Sequence, residues 1–553
     1  MTAYISCEAL CEKLEAQEGE ICLLDVRYQE EFTQEQIIAS INIPFDTLDI
    51  EVSLRAPNQS VPIVIVAGDE VTATAAADLL MRLGYKDVGI LKDGIRAWKD
   101  QGHPVFQDMN AESKAFGEFV EHAYDTPNIG PEELFEALQN NWDGVIIDCR
   151  PTREHVFSHI PGAIHIPGGD IFQKLEQVTG NENRPVVVHC GGRTRGIIAA
   201  QGVVNAGFRN PVQVLTNGTM GWHLCGYELE HGMNAAPVDE KSNNAAGGSS
   251  PIYENKLESL NVTELDLAAL QEMIADRDKR SVFVFDLRPQ DAPGANTSVA
   301  RHVTAGQLLQ ATDQFVGVRG ARVVLVDDDV VRAKITASWL QQMGWRDAYT
   351  HMIEADTGKI LNAIAPKENA YTNVERIDVA KSKKLVKQGN ATIIDVSQSH
   401  EYLAGHIPGA GFCPRGQLPK IIAGLQDSFE IFIITAKNLE LSLAAANDML
   451  AENLKILALE NGNDAWTAVG ENLSIGAERL LGQTPWLNEG FARAVEEKRG
   501  LVKYFVDWEL ERFFDPVKTE SIDDAMKKYL KWEIDLVEDW KRDPSLKFKR
   551  LVD

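Results

Sequence analysis

No uninterrupted apolar run in this chain approaches the roughly 20 residues that a membrane-crossing helix needs. Basic residues are scarce as well: 54 Lys and Arg stand against 82 Asp and Glu, a net charge of −28. That balance argues against nucleic acid and anionic membranes as partners, because both repel an acidic protein. Cysteine is sparse. Cys7, Cys11, Cys22, Cys149, Cys190, Cys225 and Cys413 are odd in number and scattered, as reduced thiols are and as a disulfide framework is not. Cys7 and Cys11 stand four apart on an expected helix and could supply half a metal site. No second Cys/His pair lies near them in sequence, so a core face is expected, with no metal and no cofactor. The start, M-T-A-Y-I-S-C-E-A-L, lacks the pattern of a secretory signal, which sets a cytoplasmic expectation. The rest is ordinary for a globular protein, 44% hydrophobic and 25% charged. At 553 residues the chain is too long for one core, and about three to five domains are expected.

Against this acidic background one short segment is basic. Residues 185–196 read P-V-V-V-H-C-G-G-R-T-R-G. A β-branched apolar run ends at a single cysteine, and a helical apolar pattern follows through Ile197, Ile198, Ala199 and Ala200. Such a run reads as a parallel strand buried on both faces. Cys190 is therefore expected at the carboxyl end of a strand, on a loop that opens a helix, which is the edge where open α/β sheets bind ligands. Loop N–H groups, the helix N-terminus and nearby arginines all favour a thiolate. Gly191 and Gly192 let the backbone curl around the sulfur. Gly191, Gly192, Arg193, Thr194, Arg195 and Gly196 are the expected cradle of an anionic sulfur nucleophile, Cys190.

The chain also repeats itself. Apolar strands end in aspartate at Asp25, Asp148, Asp286 and Asp395, three of them with arginine two residues on. A second apolar strand follows each and ends at Ala67, Cys190, Asp327 and Thr435, which lie 42, 42, 41 and 40 residues after the aspartates. Gly84, Gly207 and Gly344 come 17 residues after the first three of these ends. Segments D-G-I-R-A-W, N-G-T-M-G-W and N-G-N-D-A-W place Trp98, Trp222 and Trp466 four residues after a glycine. The third unit lacks that tryptophan. Units of this length and β/α alternation can each bury a core, so they read as domains rather than solenoid repeats.

The expected fold class is α/β: four tandem domains, each a mostly parallel sheet flanked by helices, plus a C-terminal helical extension. The expected bounds are 1–104, 105–234, 252–366 and 367–480, with a small, polar, glycine-rich linker over 235–251 and the extension over 481–553. Ser113 to His122 reads as a helix joining the first two units. After about Leu480, Ile522, Ala525, Met526, Tyr529, Ile534, Val537 and Trp540 have helical spacing. That face is expected to pack on the body of the chain, with a homodimer contact or a lid as alternatives.

These residues resemble the rhodanese family of sulfurtransferases. D-C-R-P-T-R-E-H-V-F-S-H-I-P-G-A-I-H-I-P, from Asp148 to Pro167, is similar to the family's first signature, with weaker copies at Asp25 to Pro44 and Asp395 to Pro414. H-C-G-G-R-T-R-G is similar to its active loop, and N-G-T-M-G-W to its closing signature. The resemblance covers about residues 1–480, rests on spacing more than motif in the third unit, and suggests a four-domain, rhodanese-like arrangement. It implies sulfur transfer through a persulfide on Cys190, from a small anionic donor such as thiosulfate to cyanide or a thiol.

The other units offer Ala67, Asp327 and Thr435 where the nucleophile would be, so catalysis is assigned to the second unit alone. Arg195 is expected to pair with loop carbonyls or the donor's charge, and Arg193 to recognise the donor. Arg150 is expected in a structural pair with Asp148 or Glu154, within reach of the same pocket, so Asp148 and Arg150 are supporting residues. His189 should point away from the sulfur, because neighbours on a strand face opposite ways. His159 is expected to be a turn residue and Cys413 a structural one. Two rivals remain: a cysteine phosphatase, whose loop places arginine six residues after cysteine rather than five, and a binding scaffold without activity.

Overall fold

The computed structural model describes residues 3–16, 19–107, 109–180, 183–232, 257–258, 260–289, 300–354, 356–361, 371–450 and 454–482. The linker expected over 235–251 and the helices expected after Leu480 lie outside them, apart from a few residues at their edges. Among the described residues no helix is long and apolar enough to cross a membrane.

Among the described residues, four parallel sheets follow one another along the chain, each with flanking helices. The first holds β1 (Ala3–Ile5), β2 (Cys22–Asp25), β3 (Ser40–Asn42), β4 (Ile63–Val66) and β5 (Val88–Leu91) in the order β1-β5-β4-β2-β3. The second holds β6 (Asn128–Ile129), β7 (Val145–Asp148), β8 (Ile164–His165), β9 (Val186–His189) and β10 (Val212–Leu215) in the order β6-β10-β9-β7-β8. The third has β11 (Val282–Asp286), β12 (Arg301–His302), β13 (Arg322–Asp327) and β14 (Ala348–Met352) in the order β12-β11-β13-β14. Where its siblings carry a fifth, edge strand, this sheet has a single bridge, with Leu265 N–H donating to the Thr350 carbonyl at 2.7 Å. The fourth repeats the five-stranded order with β15 (Arg376–Ile377), β16 (Ala391–Asp395), β17 (Gly411–Phe412), β18 (Ile431–Thr435) and β19 (Lys455–Leu459). The described residues form two compact units. One takes in the first three sheets, and the other takes in the fourth together with residues 43–53.

The central strands are mostly apolar up to their last residue because helices cover both faces of each sheet. β2, β4, β7 and β9 are buried along their whole length. Register fixes which positions correspond. Asp25 pairs with Val66, Asp148 with His189, Asp286 with Val326 and Asp395 with Thr435. The residues after these partners are Ala67, Cys190, Asp327 and Ala436. Ala436 therefore stands where Cys190 does, and Thr435, expected there from counting, stands one residue earlier and matches His189. The closing glycines confirm it: a Cβ on Gly94, Gly218 or Gly462 would overlap the carbonyl oxygen of Ala67, Cys190 or Ala436 respectively.

The helix expected over Ser113–His122 runs over Ala111–Tyr124 and packs beside the helix Thr194–Ala206 that follows the Cys190 loop. The contact is close: a Cβ on Gly117 would lie 3.1 Å from the Thr194 Cα. In the third domain Trp339 meets Phe116 and Tyr124 edge-on, with ring centroids 5.9 and 6.0 Å apart. Arg332 of that domain reaches Asp170 at 2.8 Å. The second and third sheets are thus tied together within one unit.

Candidate active site

β9 ends at His189, and Cys190 to Arg193 turn the chain into the helix Thr194–Ala206. The turn is held from the next helix, Gly218–Leu224. Its first residues take up the loop carbonyls: Thr219 N–H and Oγ1 donate to the Cys190 oxygen at 2.9 and 2.8 Å, and Met220 N–H donates to the Gly191 oxygen at 2.9 Å. Asn217 and Gly218 both have left-handed backbone, at φ 58° and 53°, and this brings Thr219 under the loop. Two carbonyls of the loop are thus engaged by the neighbouring helix. Gly196 lets the first helical turn close on the cysteine, since a Cβ there would lie 3.6 Å from Cys190 Sγ and 3.3 Å from its N. Cys190 itself is 2% exposed.

Both loop arginines are paired with carboxylates rather than with loop carbonyls or an open mouth. Arg195 makes a two-pronged pair with Glu154, at 2.6 and 2.9 Å. Its Nε is buried without a hydrogen-bond partner among the described residues. Burial works against that guanidinium's charge, but Glu154 and then the Cys190 and Cys149 sulfurs push its pKa up. Arg193 is held by Glu118 at 2.5 and 2.8 Å and by Glu121, both on the helix Ala111–Tyr124, and lies 3.4 Å from Asn217 Oδ1. Arg195 thus meets Glu154 instead of the loop carbonyls, one of the two partners expected for it, and Arg193, expected to recognise the donor, is held by two acids. The reason is non-local: the acids come from a helix more than 70 residues upstream and from the segment after β7.

Below the loop, Asp148 is fully buried and accepts from Arg150 Nε at 2.9 Å, Arg150 Nη2 at 2.7 Å and the Arg150 backbone N–H at 3.1 Å. His155 Nδ1 lies 2.9 Å from Asp148 Oδ2, the oxygen to which Arg150 Nη2 also donates. Burial alone would raise the Asp148 carboxyl, but His189, His155 and Arg150 hold it well below the usual range. Arg150 is the structural partner expected, with Glu154 4.0 Å away. His189 is buried against the Cys190 carbonyl, Nδ1 to O 3.3 Å, and burial pushes its pKa down to about 4. His159 is not a turn residue: it is 1% exposed and stacks on His155 with centroids 4.0 Å apart. Neither His155 nor the acids Glu118 and Glu121 were picked out from the sequence.

At the matching place of the third sheet a carboxylate stands instead of the thiol. Asp327, in the cysteine position, accepts from the N–H groups of Asp328 and Asp329 at 2.8 and 3.1 Å, and from Arg332 at 2.8 and 2.5 Å. Burial raises this carboxyl to about 6 despite those partners. In the fourth domain Asp395 accepts from Ser397 N–H at 2.9 Å and Asn463 Nδ2 at 2.8 Å, replacing the arginine of its siblings. Cys413 is fully buried, and burial pushes its thiol up to about 12.

The rhodanese-like domain family matches this chain at residues 7–101, 131–225 and 378–469, just over half its length. The third sheet lies outside those matches. The crystal structure of a thiosulfate sulfurtransferase from Pseudomonas aeruginosa is 31% identical, covers 98% of both chains and superposes with a TM-score of 0.79. YrkF of Bacillus subtilis, whose name places it among sulfur carrier proteins, is 27% identical over 171 residues, 29% of this chain and 90% of that one. The transcriptional regulator Rv0324 of Mycobacterium tuberculosis is 33% identical over 94 residues, 39% of its own length. The chain belongs to the rhodanese-like family.

Proposed function

We propose that the second domain transfers sulfane sulfur through a persulfide on Cys190. The Cys190 thiolate attacks the outer sulfur of thiosulfate or a similar donor. The donor's S–S bond breaks, its electron pair leaves with sulfite, and the outer sulfur stays on Cys190. Cyanide or a thiol then attacks that sulfur and returns the thiolate, so two half-reactions alternate on one residue. The observation that carries this reading is the loop itself. Its carbonyls are taken up by Thr219 and Met220, and the matching loop of the third domain holds a carboxylate on two successive N–H groups. Preorganised N–H groups at that place stabilise an anionic sulfur without reorganising. Arg195 Nε, buried and without a hydrogen-bond partner among the described residues, is a further donor for it. Because Glu154, Glu118 and Glu121 compensate the arginines, directed donors rather than net positive charge hold the anion. Cys190 is 2% exposed, so donor entry needs a local shift of the residues around it.

The same reading makes the third sheet a divergent rhodanese-like domain, giving four in tandem with the bounds set out above. Three of them are non-catalytic, with Ala67, Asp327 and Ala436 at the nucleophile's position. Initial rates with thiosulfate and cyanide, each varied against the other, test it. Parallel double-reciprocal lines that vanish in Cys190→Ser are expected. Sulfur transfer persisting in Cys190→Ser, or hydrolysis of p-nitrophenyl phosphate in its place, overturns it.

A further inference from the structure

Comparing the four domains position by position singles out a second cysteine. The residue after each conserved aspartate donates its N–H across the sheet to the residue before the nucleophile position: Val26 to Val66, Cys149 to His189, Leu287 to Val326 and Val396 to Thr435, at 2.8 to 3.0 Å. Three of the four are branched apolar residues. Only the domain with Cys190 carries a thiol there. Asp148 and His189 are register partners on adjacent parallel strands, so Cys149 and Cys190 continue that register one residue on, with side chains on the same face of the sheet. Strand spacing of about 4.8 Å lies inside the Cα separation of about 4.4–6.8 Å that a disulfide spans. Both are buried, at 3% and 2% exposure. Cys149 also borders a cavity of about 30 Å³ shared with Gly168, Phe172, Arg195 and Trp339.

We propose that Cys149 is a resolving thiol: when no acceptor is present, its sulfur displaces hydrosulfide from the Cys190 persulfide and leaves a Cys149–Cys190 disulfide. This rests on the persulfide reading above. The step balances without an oxidant. The anionic outer sulfur takes the Cys149 proton, the Cys149 sulfur bonds to the inner sulfur, the S–S bond of the persulfide breaks, and its electron pair leaves as hydrosulfide. A dithiol reductant then reopens the disulfide and becomes oxidised in its place, which makes a dithiol the class of acceptor that completes the cycle. Burial first, and then the Cys190 sulfur, push the Cys149 thiol up, while Arg195 and Arg150 pull it down. Cys149 therefore stays protonated, and the persulfide itself supplies the base that frees it.

Two arms on the full chain test this, both read by non-reducing digestion and peptide mass. In the first, diamide is added with no sulfur donor. A peptide pair joined through Cys149 and Cys190 is expected, and its absence overturns the proposal whatever the persulfide chemistry. In the second, thiosulfate is added without acceptor to the wild type, Cys149→Val and Cys149→Ser. Valine is the residue that two sibling domains carry, and serine is the second variant should valine disturb the fold. The wild type should release hydrosulfide and show the same joined pair, whereas the variants should keep the extra sulfur on Cys190 and release none. Persulfide of equal lifetime in all three overturns the resolving role and leaves the persulfide reading standing. A diamide disulfide with no added sulfur in any of the three overturns both.

Discussion

The Gly218→Ala substitution probes the geometry on which the site depends. Gly218 has φ 53°, where an L residue costs roughly 1–2 kcal/mol. Its Cβ would overlap the Cys190 carbonyl oxygen and come within 2.7 Å of the Gly192 carbonyl oxygen. Both obstacles are backbone of the loop, so no flexible side chain can yield, and overpacking of this kind costs about 1–3 kcal/mol. The sum, about 2–5 kcal/mol, lowers the melting transition of a domain of about 100 residues by roughly 8–20 °C. The displaced carbonyl also loses the Thr219 N–H, so hydrogen exchange at Thr219 and Met220 should speed up and persulfide formation should fall. Gly192→Ala is the control: a Cβ there meets nothing within 4 Å, and its effect should stay below about 1 kcal/mol. Calorimetry and amide exchange on both variants decide the matter. Wild-type exchange at Thr219 together with wild-type sulfur loading in Gly218→Ala would refute the claim that the N-G turn shapes the nucleophile's loop.

Arg193→Ala strands Glu118, whose side chain is 7% exposed, and should destabilise the second domain by about 2–4 kcal/mol. A change in thiosulfate KM with unchanged thermal stability would instead restore a donor-binding role. Asp313 is buried, and burial, then Glu112, raise its carboxyl to about 7 against the opposing pull of Arg55 and Arg319. An unfolded aspartate titrates near 4, so between about pH 4 and 7 the folded state holds the extra proton and stability falls as pH rises. Asp313→Asn should therefore stabilise at pH 8 by up to about 4 kcal/mol and do nothing at pH 4, and denaturant unfolding showing equal gains at both would refute the assignment. Arg195→Lys keeps the charge but loses the fork to Glu154 and the Nε donor, and it should slow persulfide formation in stopped-flow measurements.

Local pattern carried the parts of this fold that are local. Aspartate-ended strands, the glycine before each tryptophan and the cysteine between a strand and a helix are short-range signals, and they placed the repeats and the loop. The error at Thr435 came from the same source. The apolar run stops at the threonine, while alignment across the sheet, which alone fixes the equivalence, shows Ala436 in the nucleophile's position. The roles of Arg193 and Arg195 were illegible for a different reason. Their partners Glu118, Glu121 and Glu154 are supplied by other elements, and nothing in the spacing of an arginine announces which carboxylate it meets. His155 was missed although it lies seven residues after Asp148, because the short helix Thr152–Phe157 turns it back under the strand.

The most direct measurement is the site of added sulfur in the intact chain. The protein is incubated with thiosulfate, alkylated at once to trap the persulfide, digested, and each of the seven cysteines is examined by mass. The account predicts one sulfur atom added at Cys190, none at the other six, and none anywhere in Cys190→Ser. Added sulfur at Cys225, Cys413 or any other thiol at the level of Cys190, or its persistence in Cys190→Ser, would contradict it.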